Sequence, residues 1–260
     1  MQSIVATLLI AGCAYSISAS AGNVQIQVLG RDGKPVPEAV VVLYPSAATA
    51  ATAPSLLQAS PTIEQERMRF VPALTVVAPG TTLRFTNQDR WDHHVRGTPV
   101  GPAAAGGAGG NEGFEMRLAG KQDGQAAQAA ETTVRQPGVL LLGCHLHGSM
   151  RGHVFVTDSA WTLKTDIDGI ARFASVPDGD AQVRVWHAEQ LVDLPRKALN
   201  VVPGPVLDTV QLSVVPRVRR APPTAPPTAP AGTGNTPGGH VGSYSLAPVS
   251  AHPAHQHPGS

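Results

Sequence analysis

Cysteine is nearly absent from this 260-residue chain, which contains only Cys13 and Cys144. Two cysteines cannot build a disulfide-rich scaffold, and neither lies in the C-x-x-C-H motif that attaches a c-type haem. Cys13 lies in an amino-terminal apolar segment that export would remove, so Cys144 would remain as a lone thiol in an oxidising compartment. Because an unprotected thiol oxidises there, we expect Cys144 to be buried or to bind a metal.

Charged and aromatic residues are also scarce. Charged residues make up 14% and aromatic residues 4% of the chain, and the formal net charge is +1. A net charge this small gives no support for nucleic acid or an anionic membrane as a partner. The sequence also lacks a Ser-His-Asp motif, an H-x-E signature and a glycine-rich phosphate loop, so we expect that the protein is not an enzyme.

The chain has no apolar run long enough to span a bilayer. Residues 4–14 form a short apolar run, and Ala19-Ser20-Ala21 before Gly22 is a small-residue cleavage site. This pattern predicts a signal peptide over residues 1–21 and a periplasmic or secreted protein. The segment ending at Cys13 leaves an alternative open, a lipoprotein that is acylated at Cys13 and anchored to the membrane.

Short apolar runs separated by turns occupy most of the chain. Val24, Ile26 and Val28 alternate with polar residues, and many turns use the 27 glycines and 24 prolines. No convincing amphipathic helix is present, so the pattern predicts an all-β fold, a sandwich or barrel with Greek-key-like connections. From residue 216 to residue 260 the chain is rich in Pro, Gly and His, which predicts a disordered tail.

Three potential metal ligands lie close together in residues 143–150, which read GCHLHGSM between two apolar runs. Two buried strands joined by this loop would place the Cys144 thiolate, the His147 imidazole and the Met150 thioether around one point. Soft sulfur donors combined with imidazole select copper, and methionine is a poor donor to zinc. The loop therefore predicts part of a mononuclear copper site that needs one more histidine.

The pair His93-His94 offers the missing ligand from a different part of the chain. Neighbouring side chains of an extended segment face opposite ways, so only one of the two is expected to point at the metal. The alternation alone does not choose between them. By the same alternation His145 and His153 have the opposite parity from Cys144, and we expect both at the surface.

Two segments resemble plastocyanin-like cupredoxins. Residues 70–95, FVPALTVVAPGTTLRFTNQDRWDHHV, resemble the strand, Pro-Gly turn, strand and ligating histidine of that family, and residues 144–156, CHLHGSMRGHVFV, resemble the amicyanin ligand loop. The resemblance implies a blue-copper site of His93, Cys144, His147 and a weak axial Met150, with His94 as the alternative to His93. Across residues 22–190 the order of segments is similar to bacterial methylamine-utilisation/plastocyanin-like proteins.

The resemblance also implies a domain organisation. We expect a cupredoxin-like copper domain over residues 22–158, a small β-sandwich block over residues 159–215 and the tail from residue 216. The strand pair at residues 24–44 resembles the opening half of a carboxypeptidase-regulatory or transthyretin-like sandwich, and residues 159–215 resemble its closing half. Strands 24–44 therefore have a second possible place, paired with the later block.

The implied function is that of an exported one-electron carrier that holds one copper ion and exchanges electrons with a cytochrome or dehydrogenase-type redox protein. Two alternatives stay open. One is a periplasmic copper-binding or copper-handling protein, in which His94, His145 and the histidine-rich tail capture copper. The other is a metal-free β-sandwich binding module, for which residues 159–215 would be sufficient.

Overall fold

The structure, a computed structural model, describes residues 21–47, 57–101 and 112–215. These residues form sixteen β-strands and no helix, which confirms the all-β prediction. Two predicted segments lie outside the described residues. One is the signal peptide with Cys13, of which residues 1–20 are outside, and the other is the tail at 216–260. Within the described ranges, no helix is long and apolar enough to cross a membrane.

The strands follow one another along the chain with short connections. They are β1 (Ala21–Leu29), β2 (Val40–Pro45), β3 (Thr62–Glu66), β4 (Arg69–Val71), β5 (Leu74–Val77), β6 (Thr82–Asn87), β7 (His93–Val100), β8 (Phe114–Leu118), β9 (Ala129–Thr133), β10 (Gly138–Cys144), β11 (Arg151–Val156), β12 (Thr162–Lys164), β13 (Ile170–Pro177), β14 (Gly179–Trp186), β15 (Lys197–Val201) and β16 (Gly204–Gln211).

The first sandwich combines strands from both ends of the described chain. One sheet has the order β13-β1-β16, and the other has the order β12-β2-β14-β15. In β1 the residues Val24, Ile26 and Val28 are buried and the glutamines between them are partly exposed, as the alternation predicts. These three side chains pack with Phe173 and Val183 in the core of the sandwich.

The second sandwich is formed by β3 to β11. Its sheets have the orders β4-β3-β6-β9 and β5-β11-β10-β7-β8. Partners such as β3 and β6, or β5 and β11, are not consecutive in the chain, which gives the sandwich Greek-key-like connections. Phe85, Leu140 and Leu142 lie in its core, together with Cys144 and Met150.

The second sandwich is inserted into the first between β2 and β12. β1 pairs with β13 and β16, and β2 pairs with β12 and β14. The strands of residues 24–44 therefore share both of their sheets with strands from residues 159–215. The strands that surround Cys144 begin at β3.

A third apolar cluster lies where the two sandwiches meet, and we call it the seam. Its buried members are Val40, Val42, Leu74, Val139, Phe155 and Trp186. On β2, Val41 and Leu43 face the first core while their neighbours Val40 and Val42 face the seam. This strand is thus buried on both faces, which explains its uninterrupted apolar sequence.

Candidate metal centre

Strand β10 carries Cys144 to one end of the second sandwich. Leu140 and Leu142 are buried, and Cys144 continues the same face of the strand with 7% of its surface exposed. β10 is hydrogen-bonded on both sides, to β11 and to β7, and Cys144 lies opposite Val95. Because the pairing of β10 with β7 extends as far as Cys144, the sheet fixes the position of this residue.

His93, at the start of β7, and His147, in the loop after β10, meet at this thiol. The Sγ atom of Cys144 lies 3.6 Å from Nδ1 of His93 and 3.6 Å from Nδ1 of His147, and the two Nδ1 atoms are 3.1 Å apart. Atoms bound to one metal at about 2.0–2.1 Å for nitrogen and 2.3 Å for sulfur are about 3.1–3.8 Å apart at angles of roughly 100–120°. The three separations fit a common metal ion.

Asp89 fixes the orientation of the His93 ring. Its Oδ2 atom lies 2.9 Å from Nε2 of His93, and both side chains are buried. When Nε2 donates its proton to this carboxylate, Nδ1 carries only a lone pair, which points toward Cys144 and His147. A carboxylate in this position orients a ligating histidine and raises its basicity. The contact therefore selects Nδ1 as the ligand atom.

Backbone amides hold the Asp89 carboxylate in place. The N–H groups of Arg67 and Met68 donate to its two oxygens at 2.6 and 2.9 Å, and the Asp89 N–H donates to Oδ1 of Asn87 at 2.9 Å. Burial alone would raise the pKa of Asp89, but the Met68 amide, the His93 ring and the Arg67 amide together hold that pKa below its ordinary value. The carboxyl group is therefore ionised and accepts a hydrogen bond from Nε2 of His93.

Met150 and His147 occupy the inner and outer sides of the loop. Met150 has 1% of its surface exposed and packs in the same apolar cluster as Cys144. Its N–H donates to the carbonyl of His147 at 2.9 Å, which closes the loop. His147 is half-buried, and the adjacent Leu146 is 54% exposed. The site thus has one histidine that reaches the surface and one, His93, that does not.

The remaining histidines of this region point elsewhere. His94 and His145 lie on the outer face of the sheet with their ring centroids 4.9 Å apart, and His145 is exposed as its parity predicts. His153, expected at the surface, is half-buried instead. The reason is the first sandwich, whose Trp186 ring packs against His153 with 5.5 Å between centroids.

Two acidic residues near the candidate centre have no clear signal in the sequence. Asp89 follows Asn87 in a polar segment that reads as an ordinary turn, in which Asn and Asp are common. Its position four residues before His93 is the only indication of its role. Glu115 lies close to His94 only because β8 pairs with β7. The contact between Glu115 and His94 depends on this strand pairing and does not follow from the spacing of the two residues along the chain.

Comparisons with known proteins give distant structural similarities. No family model and no curated protein matches the chain. A reduced amicyanin variant is 18% identical, covers 45% of this chain and 99% of its own, and has a TM-score of 0.30. Amicyanin from Paracoccus versutus is 19% identical, with coverages of 44% and 97% and a TM-score of 0.30. The Cu-containing nitrite reductase NirK from Thermus scotoductus SA-01 is 22% identical, with coverages of 44% and 25% and a TM-score of 0.31.

Proposed function

We propose that this protein binds one copper ion and acts as an exported one-electron carrier. The observation that supports this proposal most directly is the convergence of Nδ1 of His93, Nδ1 of His147 and Sγ of Cys144, all within 4.8 Å of one another. Two imidazoles and a thiolate beside a buried methionine are the donors of blue-copper electron-transfer sites. Bound copper would supply the Cu(I)/Cu(II) couple.

The donor set favours copper over zinc. Structural zinc sites use four strong donors, usually cysteine and histidine, whereas this cluster offers three. Soft sulfur ligands favour copper, and Met150 lies in the same buried cluster as the thiol. Asp89, the buried carboxylate beside His93, already accepts a hydrogen bond from Nε2 and is therefore a supporting group for the site.

The protein holds the proposed ligands in place without help from the metal. Asp89 orients His93, the β10 ladder fixes Cys144, and the hydrogen bond from Met150 to His147 closes the loop. A site held this firmly changes little when the charge on the metal changes. Such rigidity suits electron transfer, and we propose no enzymatic reaction for the protein.

The burial of the two histidines indicates where electrons would enter and leave. His93 is fully buried, whereas His147 is half-buried beside the exposed Leu146. A redox partner of the cytochrome or dehydrogenase type would dock over His147, because only there does a ligand approach the surface. The signal pattern at residues 1–21 supports a periplasmic or secreted location for this exchange.

Copper titration of the full-length protein, followed by visible absorption and voltammetry, tests the proposal. We expect an intense thiolate-to-copper charge-transfer band and a reversible redox couple. Cys144→Ser and His93→Ala should abolish the band, and the matched variant His94→Ala should keep it. A band that survives Cys144→Ser would contradict the proposal. Tight Cu(I) binding without the band would support a copper-handling protein instead.

A further inference from the structure

A buried carboxamide without a hydrogen-bond partner lies on the inner face of the second sandwich. Gln65, in β3, is fully buried, and neither Nε2 nor Oε1 of its side chain has a partner among the described residues. Ile63, two residues earlier on the same strand, packs in the apolar cluster that contains Cys144, so Gln65 faces the same side. Because an unpaired amide in an apolar core is destabilising, a glutamine in this position indicates an interaction with a further group.

The strand order shows which part of the opposite sheet Gln65 faces. β3 lies between β4 and β6, with Gln65 opposite Phe70 on one side and opposite Asn87 on the other. A Cβ atom added to Gly152 of β11 would lie 3.1 Å from Cβ of Phe70, which places β4 over β11. Nδ2 of Asn87 donates to the carbonyl of Leu118 at 3.2 Å, which places β6 over β8. Gln65 therefore faces β10 and β7, the two strands that lie between β11 and β8.

Gln65 lies at the end of β3 that is level with the candidate metal centre. Arg67, two residues after Gln65, donates its N–H to the Asp89 carboxylate at 2.6 Å, and this carboxylate contacts the His93 ring at 2.9 Å. Cys144 is the last residue of β10, and its side chain packs in the core between the two sheets. The carboxamide of Gln65 and the thiol of Cys144 therefore belong to facing inner surfaces at the same end of the sandwich.

The sulfur of Cys144 lacks a hydrogen-bond donor once both histidines hold a metal. Among the described residues, the polar partners of Sγ are Nδ1 of His93 and Nδ1 of His147, each at 3.6 Å. Both nitrogens are proposed ligand atoms whose lone pairs would face the metal, so neither would donate to the sulfur. A buried thiolate without a donor then faces a buried amide without an acceptor.

We propose that Gln65 donates a hydrogen bond from Nε2 to the Cys144 thiolate in the copper-loaded protein, an inference that rests on the proposed copper site. Nε2 has no partner in the described structure, and a change in the side-chain torsions of Gln65, without movement of β3, would form the bond. Hydrogen bonds around the cysteine sulfur tune blue-copper centres. A donor withdraws charge from the sulfur, so Gln65 would set the energy of the copper–thiolate bond from the inner side of the site.

Visible absorption of the copper-loaded, full-length Gln65→Leu variant tests this hydrogen bond. Loss of the donor raises the energy of the sulfur electrons, so the charge-transfer band should move to longer wavelength. The affinity for Cu(I), measured by competition with a chelator, should fall about tenfold or more, as for other supporting residues of metal sites. The metal-free variant should unfold at the same or a higher denaturant concentration, because an apolar group replaces an unpaired amide. A purely structural glutamine would instead lower that concentration and leave the band in place.

Thr86→Val is the matched control. The Oγ1 atom of Thr86 is also buried without a partner, but Thr86 follows the core residue Phe85 in β6 and therefore faces away from the core. Its band should stay in place, and Gln65→Ala serves as a second variant without the donor.

The outcomes separate the hydrogen bond from the copper site. In folded Gln65 variants, an unshifted band or a shift to shorter wavelength would overturn the hydrogen bond, as would an equal shift in Thr86→Val. Absence of the band in the unmodified protein would instead contradict the proposed function, and this inference with it. A band in the unmodified protein that Gln65→Leu does not move would overturn the hydrogen bond alone.

Discussion

A buried histidine can ligate a metal only when one ring nitrogen is kept free of its proton, and Asp89 does this for His93. The contact from Nε2 to Oδ2 is 2.9 Å long, and two backbone amides hold the carboxylate from the other side. Sequence alone places His93 and His94 on opposite faces of β7, but it does not show which of the two has a carboxylate that accepts a hydrogen bond from its ring. Asp89 supplies the physical reason why His93 is suited to the role.

We expect Asp89→Asn to weaken copper binding about 10–100-fold, the usual cost of a lost supporting residue. The Asn side chain can donate its amide protons to Nε2, which favours the His93 tautomer with the proton on Nδ1. Competition with a Cu(I) chelator measures the affinity. Asp123→Asn is the control, because Asp123 forms only an exposed ion pair with Arg90. Equal affinities in both variants would show that Asp89 does not position the ligand.

His153 and His187 should make the stability of the protein depend on pH. Burial lowers the pKa of both residues, and the proximity of His187 and of Arg151 adds to the effect at His153. In the unfolded chain their pKa is about 6.5, so below this pH the unfolded state binds more protons than the folded state does. Their stabilising contribution is complete above about pH 6.5 and is lost as the pH falls toward their lowered folded-state pKa.

Thermal unfolding between about pH 7.5 and pH 5 measures this effect. We expect the melting temperature of the unmodified protein to fall over this interval, and that of His153→Asn to fall less, because one of the two titrating groups has been removed. The comparison of slopes cancels the contributions of titrating residues that do not interact with His153. Identical slopes would mean that the surroundings of His153 at the seam do not disfavour its protonation.

A strand can be predicted from the sequence when its residues are apolar throughout or alternate clearly between apolar and polar. β2 and β10 are apolar almost throughout, and β1 alternates clearly, so all three are evident from the sequence. β3 and β15, which read TIEQE and KALNV, are not. In β3 the fully buried Gln65 takes a core position, which hides the alternation. Such strands form because their neighbours in the sheet supply hydrogen-bonding partners.

The same distinction applies to the candidate centre. Cys144 ends β10, and His147 and Met150 follow in the next loop, so the short spacing along the chain keeps them near one another. His93 required the pairing of β7 with β10, which places its strand beside Cys144. Asp89 and Glu115 depend on turns and strand pairings that no local pattern encodes. Local spacing is therefore sufficient to group contiguous residues, whereas His93 followed only from the family resemblance, and Asp89 was not predicted.

The two faces of strand β11 belong to different apolar clusters, one that contains Cys144 and one that forms the seam. Val154 and Val156 face the core that contains Cys144, whereas Phe155 faces the seam and packs on Trp186 with 5.4 Å between ring centroids. We expect Phe155→Ala to destabilise the protein by about 3–5 kcal/mol, the usual cost of truncating a buried Phe. Chemical denaturation measures this loss.

The copper-bound spectrum of Phe155→Ala should remain that of the unmodified protein wherever the variant is folded. The substitution creates a cavity in the seam, and it leaves the face of β11 that packs in the cluster with Cys144 unchanged. A changed charge-transfer band in folded Phe155→Ala protein would show that the seam and the metal centre are coupled, contrary to this assignment.

For the molecule as a whole, the insertion of one sandwich between two strands of the other has a consequence for unfolding. β2 contributes alternate side chains to the first core and to the seam, so neither sandwich can unfold without exposing apolar surface of the other. We therefore expect a single cooperative thermal transition in the described part of the chain. Calorimetry that resolves two separate transitions would contradict this coupling.

One thiolate and two imidazoles of this chain are expected to bind copper together. X-ray absorption spectroscopy of the full-length protein, loaded with one equivalent of Cu(I), tests it most directly, because the thiolate site should fill first with this ion. We expect one short copper–sulfur bond, near the length of about 2.3 Å known for metal–thiolate bonds, together with two nitrogen ligands. A copper environment that contains only nitrogen and oxygen would contradict it.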